Sequence, residues 1–312
     1  MLVHHRTDNL PAFRNAVITI GTFDGVHKGH QLIIDQLKQE AAAINGETVI
    51  ITFHPHPRKI IGGKSGKLYL LTTLDERIRL LASAGIDHLV VVPFTDAFSA
   101  QDASAYISDF LVNLFHPHTI IIGYDHRFGK NRQGDYHLLE DMSVKYNYAV
   151  KEIDEQVLNE VTISSTRIRE ALTRGDIKTA NAFLGYPYFF EGEVIHGDKR
   201  GRAIGYPTAN LKVTDQDKLI PADGVYAVRV RMHDNHSKSI INGMMNIGFR
   251  PTVDGLNHMI EINLFDFNQD IYGKKMEVSL VQRIRGEQKF SGLDALKAQL
   301  KKDQQDAMEF LR

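Results

Sequence analysis

The chain has 312 residues, 43% of them apolar and 24% charged, with a formal net charge of −1; this suits about two soluble domains and supplies no bulk pull toward nucleic acid or an anionic membrane. It contains no cysteine, which excludes disulfides, thiolate catalysis and Cys-ligated metal sites. No apolar run reaches the ~18 residues of a membrane span, Met1-Leu2-Val3-His4-His5-Arg6 does not read as a signal peptide, and the cytoplasm is the expected location.

Ala16-Val17-Ile18-Thr19-Ile20 reads as a buried strand. It runs into Gly21-Thr22-Phe23-Asp24-Gly25-Val26-His27-Lys28-Gly29-His30, after which Gln31-Leu32-Ile33-Ile34 opens a helical pattern. A glycine-rich turn leading into a helix N-terminus offers backbone N–H donors and positive potential to a phosphate. His27 and His30, three apart on one helical face, can converge there with Lys28. Such a set stabilises charge developing at phosphorus without a covalent nucleophile. The stretch resembles the His-x-Gly-His signature of nucleotidyltransferases that join ATP to a phosphate-bearing acceptor and release pyrophosphate.

A second apolar run, 47–53, ends at His54-Pro55-His56-Pro57, where proline stops the strand. Gly63-Lys64-Ser65 is not a Walker A loop, since Arg58 stands where the first glycine is required; the segment reads as a flexible lid. Thr73-Leu74-Asp75-Glu76 predicts a capping box and a helix carrying Ile78, Leu80 and Leu81. Strands are expected at 88–94, 119–123 and 148–153, and a helix over 99–115. This alternation predicts βαβ units and a parallel sheet covered on both faces, with ligands beyond the carboxyl ends of the strands. The loop Gly123–Asp135, rich in Gly and Arg and containing Asp125 and His126, is placed to close over substrate. Ser164-Ser165-Thr166 opens a further helix whose hydroxyls and first-turn amides suit a phosphate, with Arg169 one turn in.

At Gly185-Tyr186-Pro187 the texture changes. Alternating runs at 188–195, 224–233, 238–247, 258–267 and 275–284, with turn signals at Asp234-Asn235, Asp254-Gly255 and Tyr272-Gly273, predict an antiparallel barrel or sandwich, and a last helix begins at Ser291. The expected domains are therefore 1–184, α/β and Rossmann-like, and 185–312, mostly β. Within the second, Gly201-Arg202-Ala203-Ile204-Gly205-Tyr206-Pro207-Thr208-Ala209-Asn210 offers glycines for close approach, an arginine for an anion, and oxygens of Thr208 and Asn210 on one side of an extended strand. Those oxygens suit a hard cation shared with phosphates.

In family order, the chain carries Thr22–His30, Phe53-His54-Pro55-His56-Pro57, Gly123–Asp135, Ile163–Arg169, Gly205–Asn210, Gly224-Val225-Tyr226, Asn246–Thr252 and the run Glu261–Phe290. With these motifs it resembles the bacterial bifunctional riboflavin kinases/FAD synthetases. The resemblance implies two activities. In the second domain, Mg2+ and ATP would be held by the 192–210 region, with Gly192, Gly197, Arg202, Gly205 and Pro207 against the nucleotide and Thr208 and Asn210 at the metal. Glu261 would take the proton of the riboflavin hydroxyl attacking the γ-phosphate, and the flavin would lie near Tyr226, Arg285 and Phe290. In the first, the FMN phosphate would attack the α-phosphate of a second ATP to give FAD. His27, His30 and Arg169 would hold the polyphosphate; Gly21, Thr22, Phe23, Lys28, Asp125, Ser164, Ser165 and Thr166 would line the site; and Asp24, His54 and Pro55 would serve the flavin or the metal. The family usually has phenylalanine at the position of His126. Three other readings compete: a zinc site from His27, His30, His54 and His56; an adenylyltransferase for a different phosphate ester with the β half as a cap; and an RNA-binding barrel using Tyr188, Phe189, Phe190 and Lys199-Arg200. Neither nucleic acid nor membrane is the expected partner.

Overall fold

A computed structural model describes the chain except for residues 62–66, 154–162, 198–200, 202–203, 234–238 and 253–254, with side chains undescribed at 250–252 and 255–257. The proposed lid Gly63-Lys64-Ser65, Arg202, Lys199-Arg200 and the turn residues Asp234, Asn235 and Asp254 lie outside the described residues. Two compact units result, Met1–Ser164 and Ser165–Arg312.

The first unit is a parallel sheet of six strands: β1 (Leu2–His4), β2 (Val17–Ile20), β3 (Thr48–His54), β4 (His88–Pro93), β5 (Thr119–Gly123) and β6 (Ala149–Ile153), in the order β1-β4-β3-β2-β5-β6. Helices α1 (Lys28–Ala43), α2 (Pro57–Ile61), α3 (Leu74–Ser83), α4 (Asp96–Ser99), α5 (103–115) and α6 (Tyr136–Tyr146) connect and cover the strands. Alternate residues of β2 face opposite layers. Val17 packs with Ile34 and Leu37 of α1 and Leu81 of α3, whereas Ile18 and Ile20 pack with Ile107, Leu111 and Phe115 of α5 and Leu139 of α6. Burial on both faces explains why these strands read as unbroken apolar runs. Strand order reverses between β2 and β5, so the loops after these two strands flank the crevice where such sheets bind ligands.

One local expectation is revised and one strand was not foreseen. The helix expected over 99–115 begins at Ala103, because Asp102 caps it by accepting from Ser104 N at 2.8 Å, and its middle, Tyr106–Val112, is wound as a π-helix. The edge strand β1 is too short to show a period. The capping box at Thr73 and Glu76 is present.

The second unit opens with α7 (Ser165–Arg174) and α8 (Ile177–Leu184) and continues into a closed barrel. Its strands are β7 (Phe189–Ile195), β8 (Ala209–Lys212), β9 (Gly224–Met232), β10 (Ile240–Thr252), β11 (Gly255–Leu264) and β12 (Lys275–Arg285), ordered β10-β11-β8-β7-β12-β9. The sandwich alternative is thus excluded. Helix α9 (Leu293–Leu311) docks through Ala307 and Leu311 on Ala227, Met244 and Phe265. Its Asp303, fully buried, receives Arg285 Nε at 2.9 Å and Nη2 at 2.7 Å, and Gln299 Nε2 at 2.8 Å.

Candidate active sites

In the first unit the loop after β2 winds through left-handed backbone at Phe23 (φ 48°), Gly25 (φ 84°) and Val26 (φ 36°). Glycine tolerates this, but a β-branched valine there costs of order 1–3 kcal/mol and needs outside support. Asp24 supplies it. Its fully buried carboxylate accepts from Leu71 N at 3.1 Å and from Thr72 N at 2.9 Å and Oγ1 at 3.2 Å, while Gly25 N donates to Thr72 Oγ1 at 3.1 Å.

The loop delivers His27 to the N-cap of α1, where its Nδ1 accepts from His30 N at 3.4 Å. The two imidazoles stack with centroids 3.7 Å apart, and Phe23 lies 4.9 Å from His30. Gly29 leaves room for this stack, since a Cβ there would press on the His27 ring at 3.3 Å. His30 is half-buried, yet its Nδ1 is enclosed without a hydrogen-bond partner. Desolvation first, then His27 and Arg77, hold its pKa well below the ordinary value, so the ring is neutral at pH 7. Lys28 is exposed, and Gly21 and Thr22 are half-buried.

Of the other first-unit candidates, His54 is exposed at the end of β3, Pro55 follows it half-buried, and His56 is buried with Nδ1 accepting from Arg58 N at 3.1 Å. The four histidines of the zinc alternative therefore do not converge; the set of potential metal ligands that does, among the described residues, is Glu191, His233 and Glu277 on the barrel. Asp125 is exposed in the loop after β5. That loop is pinned by a two-way bridge between Phe128 and Gly134 and by the Arg127–Asp135 ion pair, and Asp135 caps α6. His126 Nε2 is enclosed without a partner, and burial pushes the ring's pKa down to about 4 despite Asp125. Ser164 is exposed, whereas Ser165, Thr166 and half-buried Arg169 stand on α7, which belongs to the second unit.

In the barrel, strand register assembles what lies far apart in sequence. Asn210 of β8 pairs with Glu261 of β11, and Glu261 pairs with Asn246 of β10. Asn210 and Glu261 are 6% and 7% exposed, which leaves them at a nearly dry level of the wall. Gly197 makes room for Asn210, whose Nδ2 lies 2.1 Å from where a Cβ would stand. Tyr206 N closes onto Gly201 O at 2.9 Å, Gly205 turns at φ 89°, and Asn263 Nδ2 holds Pro207 O at 2.7 Å. This brings half-buried Thr208 to the start of β8.

Other barrel candidates have supporting contacts. Gly192 packs in the wall, where a Cβ would meet Leu211 at 2.6 Å. Tyr226 is fully buried and donates its hydroxyl to Ala222 O; desolvation pushes its pKa up to about 12. Arg285 is committed to Asp303 and sits 5.7 Å from the Phe290 ring. The aromatic trio of the RNA alternative is interior, with Tyr188, Phe189 and Phe190 at 1%, 8% and 0% exposure, so it is no stacking platform.

Sequence reading gave no role to Thr52, Arg77 or Asn263, and named Asn246 only within a motif. A signal existed for Arg77: with Leu74, Ile78 and Leu81 it occupies the core-facing stripe of α3, where an arginine is out of place unless something inside pairs with it.

A parallel sheet with a His-x-Gly-His turn at its switch point, followed by a closed barrel bearing Pro207-Thr208-Ala209-Asn210 and Glu261, defines a nucleotidyltransferase unit joined to a flavokinase unit. The FAD synthetase family matches residues 10–167 and the riboflavin kinase family residues 184–311. The bifunctional riboflavin kinase/FMN adenylyltransferase of Haemophilus influenzae is 41% identical over 297 residues, covering 95% of this chain and 94% of that protein. Its Bacillus subtilis counterpart is 38% identical over 300 residues, covering 95% and 92%. A solved structure described as a macrolide-efflux protein from Streptococcus pneumoniae superposes with a TM-score of 0.84 at 32% identity, covering 98% of each chain. No helix among the described residues is long and apolar enough to cross a membrane. The chain belongs to the bifunctional riboflavin kinase/FMN adenylyltransferase family: it phosphorylates riboflavin with ATP to FMN and joins FMN to the adenylate of a second ATP to give FAD.

Proposed function

We propose that the two activities divide between residues 1–184 and 185–312, and that His27 and His30 act in the first and Glu261, Asn210 and Thr208 in the second. In the adenylyl transfer, an FMN phosphate oxygen forms the new bond to the α-phosphorus, the α–β bridging bond breaks, and pyrophosphate leaves. The nucleophile is a phosphate already largely ionised at pH 7, so no general base is required. The protein's task is then to position and to stabilise charge on the phosphate oxygens. The neutral His30 imidazole, the His27 ring and the α1 amides serve this, with Lys28 adding a cation and Gly21, Thr22 and Phe23 lining the turn. Ser164, Ser165, Thr166 and Arg169 are assigned to nucleotide binding, Arg169 to the polyphosphate, and Asp125, His54 and Pro55 to the substrates, on the motif resemblance. Asp24 supports the loop.

In the kinase, the ribityl hydroxyl attacks the γ-phosphorus, its proton passes to the Glu261 carboxylate, and ADP leaves. Thr208 and Asn210 would hold Mg2+: the fit rests on two neutral oxygen donors beside a carboxylate, an all-oxygen set suited to a hard cation. Bound there, Mg2+ would neutralise phosphate charge. Gly197, Gly205, Pro207 and Arg202 are assigned to the nucleotide, Gly192 to the wall behind it, and Phe290 to the flavin side with Tyr226 and Arg285 as supports. ATP, riboflavin and FMN are the partners of this reading, which needs neither nucleic acid nor a membrane and suits a cytoplasmic enzyme.

The stacked His27–His30 pair, with the enclosed and partnerless Nδ1 of His30, is the observation that most supports the first site. Chromatography of flavins after incubation with riboflavin, ATP and Mg2+ tests the whole. FMN should appear first and FAD second, and omitting Mg2+ should stop the first step.

A further inference from the structure

Arg77 is 1% exposed, a burial that arginine rarely reaches unless paired. Its Nη1 donates to Thr52 Oγ1 at 3.1 Å, and Thr52 Oγ1 donates to Thr22 O at 3.2 Å. The polarity of this chain is forced, because a guanidinium has no acceptor: the hydroxyl accepts from it and turns its own proton to the Thr22 carbonyl. Arg77 Nε, also enclosed, has no partner. A buried cation in such surroundings is kept only where its charge and geometry are used or compensated.

We propose that Arg77 is a positioning residue for adenylyl transfer: through Thr52 it pins the Thr22 carbonyl, and with it the left-handed loop that presents the His27–His30 pair to the ATP polyphosphate. The inference rests on the reading of that loop as the nucleotide grip. It explains how the strained turn is held from both sides, by Asp24 on Leu71 and Thr72 and by Thr22 on β3 and α3. It also gives the charge a use. Arg77 and His27 are the groups that bear electrostatically on His30, and both disfavour the imidazolium. Among the nearby carboxylates, Asp24 faces Arg77, while Glu76 accepts from Thr73 N at 2.9 Å at the start of its own helix.

The test uses the full-length protein with Arg77→Met, Thr52→Val and Thr52→Ser. Arg77→Met and Thr52→Val should lower kcat for FMN adenylylation about 10- to 100-fold, the scale of a slight misplacement of a reacting group. Riboflavin phosphorylation by the same polypeptide should be unchanged. Thr52→Ser, which keeps the hydroxyl, should retain adenylylation. Wild-type kcat in Thr52→Val, or equal impairment of Thr52→Ser and Thr52→Val, would overturn the proposal. Should Arg77→Met not fold, the Thr52 pair still decides. A fully active His30→Ala would instead sink the loop's assignment itself; an inactive His30→Ala beside active Arg77→Met and Thr52→Val would remove only the role of Arg77.

Discussion

On the proposed reading, the two units grip nucleotides by opposite constructions. In the first, Gly21 to His30 are contiguous, so the imidazoles, the turn and the helix amides come from one loop and the helix it opens. In the second, Asn210, Asn246 and Glu261 come from three strands and meet only because β8, β11 and β10 pair in one register. A local motif tolerates change elsewhere but depends on whatever holds its strained backbone. A register-built site inherits its precision from the closed barrel and is vulnerable wherever the barrel is.

That contrast predicts separable losses, the largest from the side chains proposed to act in each step. Glu261→Gln should lower FMN formation by roughly 10²–10⁴-fold, the range of general-base catalysis, and leave FMN-to-FAD conversion intact. His30→Ala should do the reverse, by roughly 10²–10³-fold. Separate assays of the two steps check both, and any variant that stops both steps equally breaks the division. Next comes the barrel's support. Asp303→Ala strands the Arg285 guanidinium and should destabilise the second unit by about 3–5 kcal/mol, as removal of one partner of a buried pair does. Denaturant unfolding would read this as a loss confined to one of two transitions.

Smaller effects sharpen the comparison. Gly197→Ala drives a methyl into Asn210 and should lower kinase kcat roughly 10- to 100-fold with little change in adenylylation. The smallest is a pH effect on the first unit. His126 has a folded pKa of about 4, against about 6.5 when unfolded. Between those values the unfolded chain binds the extra proton, so stability is full above pH 6.5 and falls as pH drops toward 4. His30 acts with the same sign. Thermal unfolding at pH 7 and pH 5 should show a decline that His126→Phe reduces by about 2–4 °C.

The amino-acid sequence alone determined the parallel sheet, the β-rich second half, the position of the motif stretches and the family, because buried strands, helix caps and glycine turns are written in short, contiguous patterns. The barrel expected for the second half is borne out, but the order in which its strands close was not legible, since closure depends on which distant strands pair. Nor could the sequence reveal that Asp24 is a latch or that Tyr226 and Arg285 face supporting partners, since a side chain's commitments are made by residues tens of positions away. Arg77 shows the boundary between the two. Its place on the apolar stripe of α3 was legible, but only the tertiary structure brought it to Thr52 and, through that hydroxyl, to the Thr22 carbonyl.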